Sequence, residues 1–441
     1  MTDTIEQAEA LIKSGQAREA LTVLEEIVAA NPTFLRAHSA CAAAHLKLGN
    51  RDKAVEHLKE FLPAIDQFPN PVRARIGIAG RFAEAGGFDQ ADKLLEQAME
   101  MEPDNLEILV KRADTLADAK RWADALTLYR QALDELPDHP ELLTSAGIAA
   151  QKADELADAA EYYEQVLRQA PDDVVVYHNL VAALTELGRL GDALEVCREW
   201  LVQKPDDIDG MAFQALLLVE TGRVDEAATW FDFDRLVHSY MIDVPAAYKT
   251  LDGFNRALES EILAHPELET PPEDHPTWHH PALKIGSHIN AAGTGAIHDL
   301  EAVMHDAVER YYDNAGDADG HPFLVHRPKK YRIEPWAAVL EREGNQQPHI
   351  HMDGYLSGCY YITIPPEVSA DENGADGLVK GGFEIGRPPE EITITADLET
   401  RTIKPLEGLM VLFPAYMYHG TIPFKSDQRR ICIAFDVMPE E

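Results

Sequence analysis

The sequence predicts an α+β multidomain chain: a helical-hairpin solenoid over residues 1–237 and a β-rich domain over 238–441, with its antiparallel core at about 330–441. Three observations predict it. Small residues recur with a period of 34 through the first half. After about Lys330 the pattern changes to short β-rich runs separated by Gly, Pro and Asp. The length of 441 residues exceeds what one ordinary core can use.

The repeat comes first. Alanines stand at 20, 54, 91, 125, 159, 193 and 227, at intervals of 34, 37, 34, 34, 34 and 34. Pro32, Pro103, Pro137, Pro171 and Pro205 follow five of them by twelve residues; Gly15, Gly49, Gly86, Gly188 and Gly222 precede five by five. Glycine lets the chain leave the first helix of a hairpin in a left-handed conformation. A small alanine lets the second helix approach the first, and proline stops the second helix. The three extra residues between Ala54 and Ala91, near Phe68–Pro71, are expected to lengthen one turn.

Runs such as Val176–Gly188 and Ala125–Ala132 resemble the tetratricopeptide repeat, over roughly residues 1–237 as about six full repeats and a partial cap. Such arrays present a concave groove for peptides or protein surfaces. Positions matching the lysine and asparagine of a carboxylate clamp hold Ile76 and Gly80, Val110 and Asp114, Thr144 and Ile148, His178 and Ala182. Recognition of a chaperone tail is therefore not expected.

Composition narrows the partners. The net charge of −38 repels phosphate backbones and anionic lipid, which argues against nucleic acid and membrane surfaces. Cys41, Cys197, Cys359 and Cys432 lack C-x-x-C spacing and read as reduced, packed thiols. The N-terminus lacks signal-peptide regions and no apolar run approaches a membrane span, so a cytoplasmic location is expected.

Between about Ser239 and Glu341 the repeat phase is lost. Phe254–Leu263 and Leu300–Tyr312 have helical spacing, with Pro271, Pro272 and Pro276 in the loop between them. His279 and His280 are adjacent, point opposite ways on a strand, and read as structural. Strands are predicted at Cys359–Ile364, Glu391–Thr395, Gly408–Phe413 and Ile431–Asp436.

Three features on this frame carry chemistry. In Pro348-His-Ile-His-Met-Asp353, residues two apart share a face of an extended chain, so His351 and Asp353 can hold one metal. His419 follows a β-run by a short turn and can supply a third ligand. Two imidazoles and a carboxylate leave half the octahedron of ferrous iron open. Arg430, opening a strand, can bind a carboxylate through two parallel hydrogen bonds, and Tyr361 can donate another. Arg429 is the alternative fork, facing the opposite side.

The segment His349–Ile362, with Gly381–Pro388 and His419…Arg430, resembles the 2-oxoglutarate–iron(II) oxygenases related to prolyl hydroxylases, over about residues 240–441. The resemblance implies a double-stranded β-helix (jelly roll), with Fe(II), 2-oxoglutarate and dioxygen as metal, cosubstrate and oxidant. It implies hydroxylation with release of succinate and carbon dioxide, with the distal carboxylate of 2-oxoglutarate on Arg430. In the subfamily most alike, the first site reads H-x-H-P without a following acid. His349 is thus the alternative to Asp353; the pairing of His351 with Asp353 is preferred because a carboxylate offsets the ferrous charge. The leading expectation is a hydroxylase of protein or peptide side chains recruited by the repeats. The alternatives are a small-molecule oxygenase whose repeats serve assembly, and a non-catalytic scaffold.

Overall fold

A computed structural model describes residues 2–32, 34–271, 278–279, 282–286, 289, 293–318, 320–341, 345–369 and 379–440. His280, Pro272 and Pro276 lie outside them, and only the backbone of His279 is described. Residues 1–188 and 189–441 each form a compact unit.

The first unit is a succession of antiparallel helical hairpins, beginning Thr2–Lys13 and Ala17–Ala30, then Leu35–Lys47 and Arg51–Phe61. The periodic alanines at 20, 54, 91, 125 and 159 are fully buried, as are the helix contacts they permit. Helices Ala17–Ala30, Phe88–Met101, Trp122–Glu135, Leu156–Gln169 and, in the second unit, Leu190–Gln203 each end two residues before a periodic proline. The five periodic glycines all have positive φ, from 70° to 84°. Where the period lacks glycine, Lys120 and Asp154 adopt the same conformation at φ 59° and 64°. The turn geometry thus follows the repeat, not the residue. The extra length after Ala54 forms a 3₁₀ helix at Leu62–Gln67.

The second unit begins with Leu190–Gln203, Ile208–Glu220 and Val224–Trp230 and continues into the sheets. Its strands are β1 (His238–Met241), β2 (Trp278–His279), β3 (Ala282–Ile285), β4 (Tyr331–Leu340), β5 (Asn345–Gln346), β6 (Leu356–Thr363), β7 (Phe383–Ile385), β8 (Arg401–Ile403), β9 (Leu409–Pro414), β10 (His419–Thr421) and β11 (Arg430–Pro439). They form a six-stranded sheet ordered β1-β9-β6-β11-β4-β3, a three-stranded sheet β10-β7-β8 and the pair β2-β5, antiparallel throughout.

Alternation gives the large sheet two different faces. Helix Leu251–Leu263 covers one: Tyr360 donates to Asn255 Oδ1 at 2.6 Å, and Phe254 lies 6.2 Å from the Tyr360 ring. Phe254→Ala there would cost about 3–5 kcal/mol of stability. On the same face a Cβ at residue 358 would fall 2.2 Å from Phe435 Cζ, so only glycine lets that ring lie across β6. The opposite face carries Ser357, Cys359 and Tyr361 beside Cys432, Ala434 and Asp436, and lines the site described below.

Residues 189–237 carry the sequence period and belong to the second compact unit, where they are bonded to the sheets and loops that follow. Tyr416 donates to the Trp230 carbonyl at 2.6 Å, and the Glu220 carboxylate accepts from Thr395 and Ala396 amides. Glu391–Thr395, predicted as a strand, is not one: the Ile392 amide donates to the Pro389 carbonyl in a turn, and the Thr395 amide and hydroxyl donate to Glu220. Strands β1 and β3 extend the sheet with residues from or next to the stretch where the repeat phase is lost. Among the described residues no helix is long and apolar enough to cross a membrane.

Candidate active site

Three short elements converge at one end of the sheets. His349 and His419 form an antiparallel bridge, each amide donating to the other's carbonyl at 3.0 Å. A Cβ at residue 420 would come within 3.0 Å of the Gln346 carbonyl oxygen and Pro348 nitrogen, so Gly420 permits this close crossing. His351 lies two residues beyond His349, its amide donating to Ala415 O at 3.3 Å. The rings sit 5.0 Å (349–351), 4.5 Å (349–419) and 4.9 Å (351–419) apart by centroid.

Each imidazole has an acceptor opposite Nδ1. His349 faces Gln347 O at 2.7 Å, His351 faces Asp436 Oδ1 at 2.6 Å, and His419 faces Met417 O at 3.0 Å. An acceptor there fixes the proton on Nδ1 and makes Nε2 the lone-pair atom. One ligand nitrogen from each of the three lies within 4.8 Å of the others. Burial, and then the neighbouring His349 and His351, push the pKa of His419 well below its ordinary value, so it stays neutral. Three imidazoles whose ligand nitrogens lie this close together can hold one transition-metal ion.

Asp353, expected as the companion of His351, is exposed in the turn Met352–Asp353 and stands outside the three-histidine group. The expectation assumed extended backbone through 351–353, and the turn removes that alternation. Asp436 was not anticipated. It accepts from His351 and, at 2.7 Å, from the Ser357 hydroxyl, so one carboxylate oxygen anchors the ring. The signal was present: Arg430 and Asp436 are an even number apart on one strand and therefore share a face.

Arg430 is 2% exposed, and its Nε and Nη1 have no hydrogen-bond partner; neither does the fully buried Tyr361 hydroxyl. The guanidinium lies 5.3 Å over the Tyr361 ring. Burial holds the Tyr361 hydroxyl protonated, with a pKa well above its ordinary value. A buried cation and a buried donor left unpaired are costly unless a ligand completes them. They can bind a carboxylate, the guanidinium through paired bonds. Arg429, by contrast, is an exposed partner of Glu341 at 2.8 Å. A cavity of about 30 Å³ joins the histidines to Arg430, walled by Trp336, Phe383 and Phe413. Cys359 and Cys432 line it as free thiols.

Comparison with known proteins matches this architecture. A tetratricopeptide-repeat model covers residues 11–79, 82–146, 116–184 and 150–217, and a second repeat model covers 210–232. A model described as "Putative 2OG-Fe(II) oxygenase" covers residues 334–436. Among solved structures, the C-terminal part of a TPR repeat-containing protein from Cytophaga hutchinsonii is 13% identical. That match covers 52% of this chain and 92% of that one, with a TM-score of 0.42. A structure described as MamA MSR-1 is 19% identical, covering 36% of this chain and 92% of its own, with a TM-score of 0.33. No curated protein matches the chain. The chain is therefore a tetratricopeptide-repeat protein joined to a domain of the 2OG-Fe(II) oxygenase family.

Proposed function

We propose that this protein is an Fe(II)- and 2-oxoglutarate-dependent dioxygenase that hydroxylates a protein or peptide side chain. The observation that carries the reading is one cavity lined both by three histidines whose ligand nitrogens lie within 4.8 Å of one another and by a buried arginine whose Nε and Nη1 lack hydrogen-bond partners. His349, His351 and His419 hold the iron, with His349 in the place first expected for Asp353. Arg430 and Tyr361 hold the distal carboxylate of 2-oxoglutarate. When bound, iron and 2-oxoglutarate supply oxidative decarboxylation coupled to insertion of one oxygen atom of O₂ into a C–H bond.

The chain's own residues prepare that chemistry. Asp436 and Ser357 fix the ring of His351, which makes it a better donor. Arg430 orients the cosubstrate through a planar fork that lysine cannot reproduce. Trp336, Phe383 and Phe413 keep water from the reacting centre. A ligand set of three histidines and no carboxylate would leave the ferrous charge to be offset by the 2-oxoglutarate dianion. A protein or peptide substrate is supported by the repeat array, whose first unit carries a cavity of about 770 Å³ lined by Ile12, Phe34, Leu35 and Ile78 with Arg36 and Arg81.

The test is mass spectrometry of lysate proteins after incubation with the full chain, Fe(II) and 2-oxoglutarate. Additions of 16 Da are expected, and they should vanish with His419→Ala. His349→Ala should remove most bound iron while Asp353→Ala leaves it; the reverse result would reinstate the carboxylate as ligand.

A further inference from the structure

A second cluster of histidines lies in the first unit. Helix Leu35–Lys47 carries His38 and His45, seven residues apart and so on one face. That face packs on helix Arg51–Phe61, which carries His57. The His57 ring sits 6.4 Å from that of His38 and stacks at 5.2 Å on that of His45. Glu60 follows His57 by one turn, with Oε2 3.8 Å from His57 Nδ1.

Ordinary packing does not account for the polar atoms here. His38 is 2% and His45 6% exposed. The Nδ1 atoms of His38, His45 and His57 are all buried without a hydrogen-bond partner. His38 Nε2 lies 2.9 Å from the Pro32 carbonyl, which can only accept, so the proton is on Nε2 and Nδ1 presents a bare lone pair. A carbonyl fixing the tautomer behind an unprotonated nitrogen is how proteins prepare histidine for a metal. One ligand atom each from His38, His57 and Glu60 lies within 4.8 Å of the other two, the same criterion met by the His349, His351 and His419 group.

We propose that His38 Nδ1, His57 and Glu60 form a second metal site, for a zinc-like divalent cation. Two imidazoles and one carboxylate suit Zn²⁺, with water in the fourth position, and not a hard cation such as Mg²⁺, which prefers oxygen throughout. His45 stacks behind His57 and limits its rotation. The ion clips the two helices of the second hairpin together just before the 3₁₀ turn Leu62–Gln67, where the repeat departs from its 34-residue register.

The experiment uses the full chain carrying His419→Ala, so that the candidate iron site does not dominate the count. Metal-stripped protein is titrated with Zn²⁺ against a chromogenic chelator, and with Co²⁺ for its visible absorption. One equivalent of either ion is expected, with the intense bands of a four-coordinate Co²⁺ site, and Zn²⁺ should raise the thermal midpoint. Adding Glu60→Gln should weaken Zn²⁺ binding at least tenfold and remove the midpoint shift. Glu60 is exposed, so this change leaves the fold intact; His57→Asn should act alike. If the His419→Ala chain takes up no Zn²⁺, or binds it equally well with Glu60→Gln and with His57→Asn, the site does not exist.

Discussion

The two halves of this molecule bury different things. The repeat array buries alanine, leucine and aromatic rings at positions set by a short period, and its helices are held mostly by neighbours within about one repeat. The candidate site of the second unit instead buries Arg430, the Tyr361 hydroxyl and His419, and leaves Arg430 Nε and Nη1 and the Tyr361 hydroxyl without hydrogen-bond partners. Apart from the His38, His45 and His57 cluster, the described residues of the first unit satisfy their buried polar side chains internally. A binding site keeps some in reserve for a ligand, at a cost to its own stability. Substitutions on the sheet face should therefore act on ligand affinity more than on folding, and substitutions in the array the other way round.

The largest effect should come from Arg430. On the proposed reading, replacing it with alanine leaves the 2-oxoglutarate carboxylate without its fork, worth about 3–5 kcal/mol, or roughly 10²–10⁴-fold in the cosubstrate requirement. Iron should stay bound, and Arg430→Lys should recover only part of the loss. Succinate release measured against 2-oxoglutarate concentration checks this. An unchanged KM would mean that the unpaired guanidinium is only a structural oddity.

Asp436→Asn comes next. It keeps the shape but weakens the acceptor opposite His351 Nδ1, and about 10–100-fold loss of iron affinity is expected, read by anaerobic titration. If melting temperature falls while iron affinity holds, Asp436 belongs to the scaffold side of the comparison.

A smaller effect should appear with acid. The folded-state pKa of His419 lies well below 6.5, chiefly through burial. Below pH ~6.5 the unfolded chain binds a proton that the folded chain refuses, so stability is lost as pH falls, by at most about 1.4 kcal/mol per pH unit for this group. Chemical unfolding of metal-free protein at several pH values should show this slope. It should shrink in His419→Gln but persist in part, since burial also lowers His45 and His321.

Smallest is a change in the array. Lys120 holds positive φ where the other repeats use glycine. Lys120→Gly should stabilise the protein by up to about 1 kcal/mol with no effect on turnover. Loss of stability would show that the lysine side chain does more at that turn than tolerate its conformation.

How much was readable in advance follows the same division. Hairpin ends, turn glycines and buried alanines were legible because each depends on residues within about 34 positions, repeated seven times. Helices at 251–263 and 296–315 were legible from local spacing, and so were β6, β9 and β11. The Glu391–Thr395 run has β-like composition but follows Pro388 and Pro389 into a turn, and its last residue bonds Glu220, some 175 residues away. Strands β1 and β3 are four residues each, too short for a pattern to announce them.

By itself the sequence determined the period, the order of the two folds, and the short list of groups able to do chemistry: His349, His351, Asp353, His419, Arg429, Arg430 and Tyr361. Strand alternation even separated the two arginines, since neighbours must face opposite ways. Only the tertiary structure decided which members of that list meet. Asp353 lies exposed in the turn Met352–Asp353, the bridge between His349 and His419 brings those two rings together, and β11 delivers Asp436 to the Nδ1 side of His351. It also gathered His38, His45 and His57 from two helices into one buried cluster. The physical reason is distance along the chain. Local rules fix where a side chain points relative to its own strand or helix, whereas a site is made by elements tens to a hundred residues apart, and their meeting depends on the packing of everything between them.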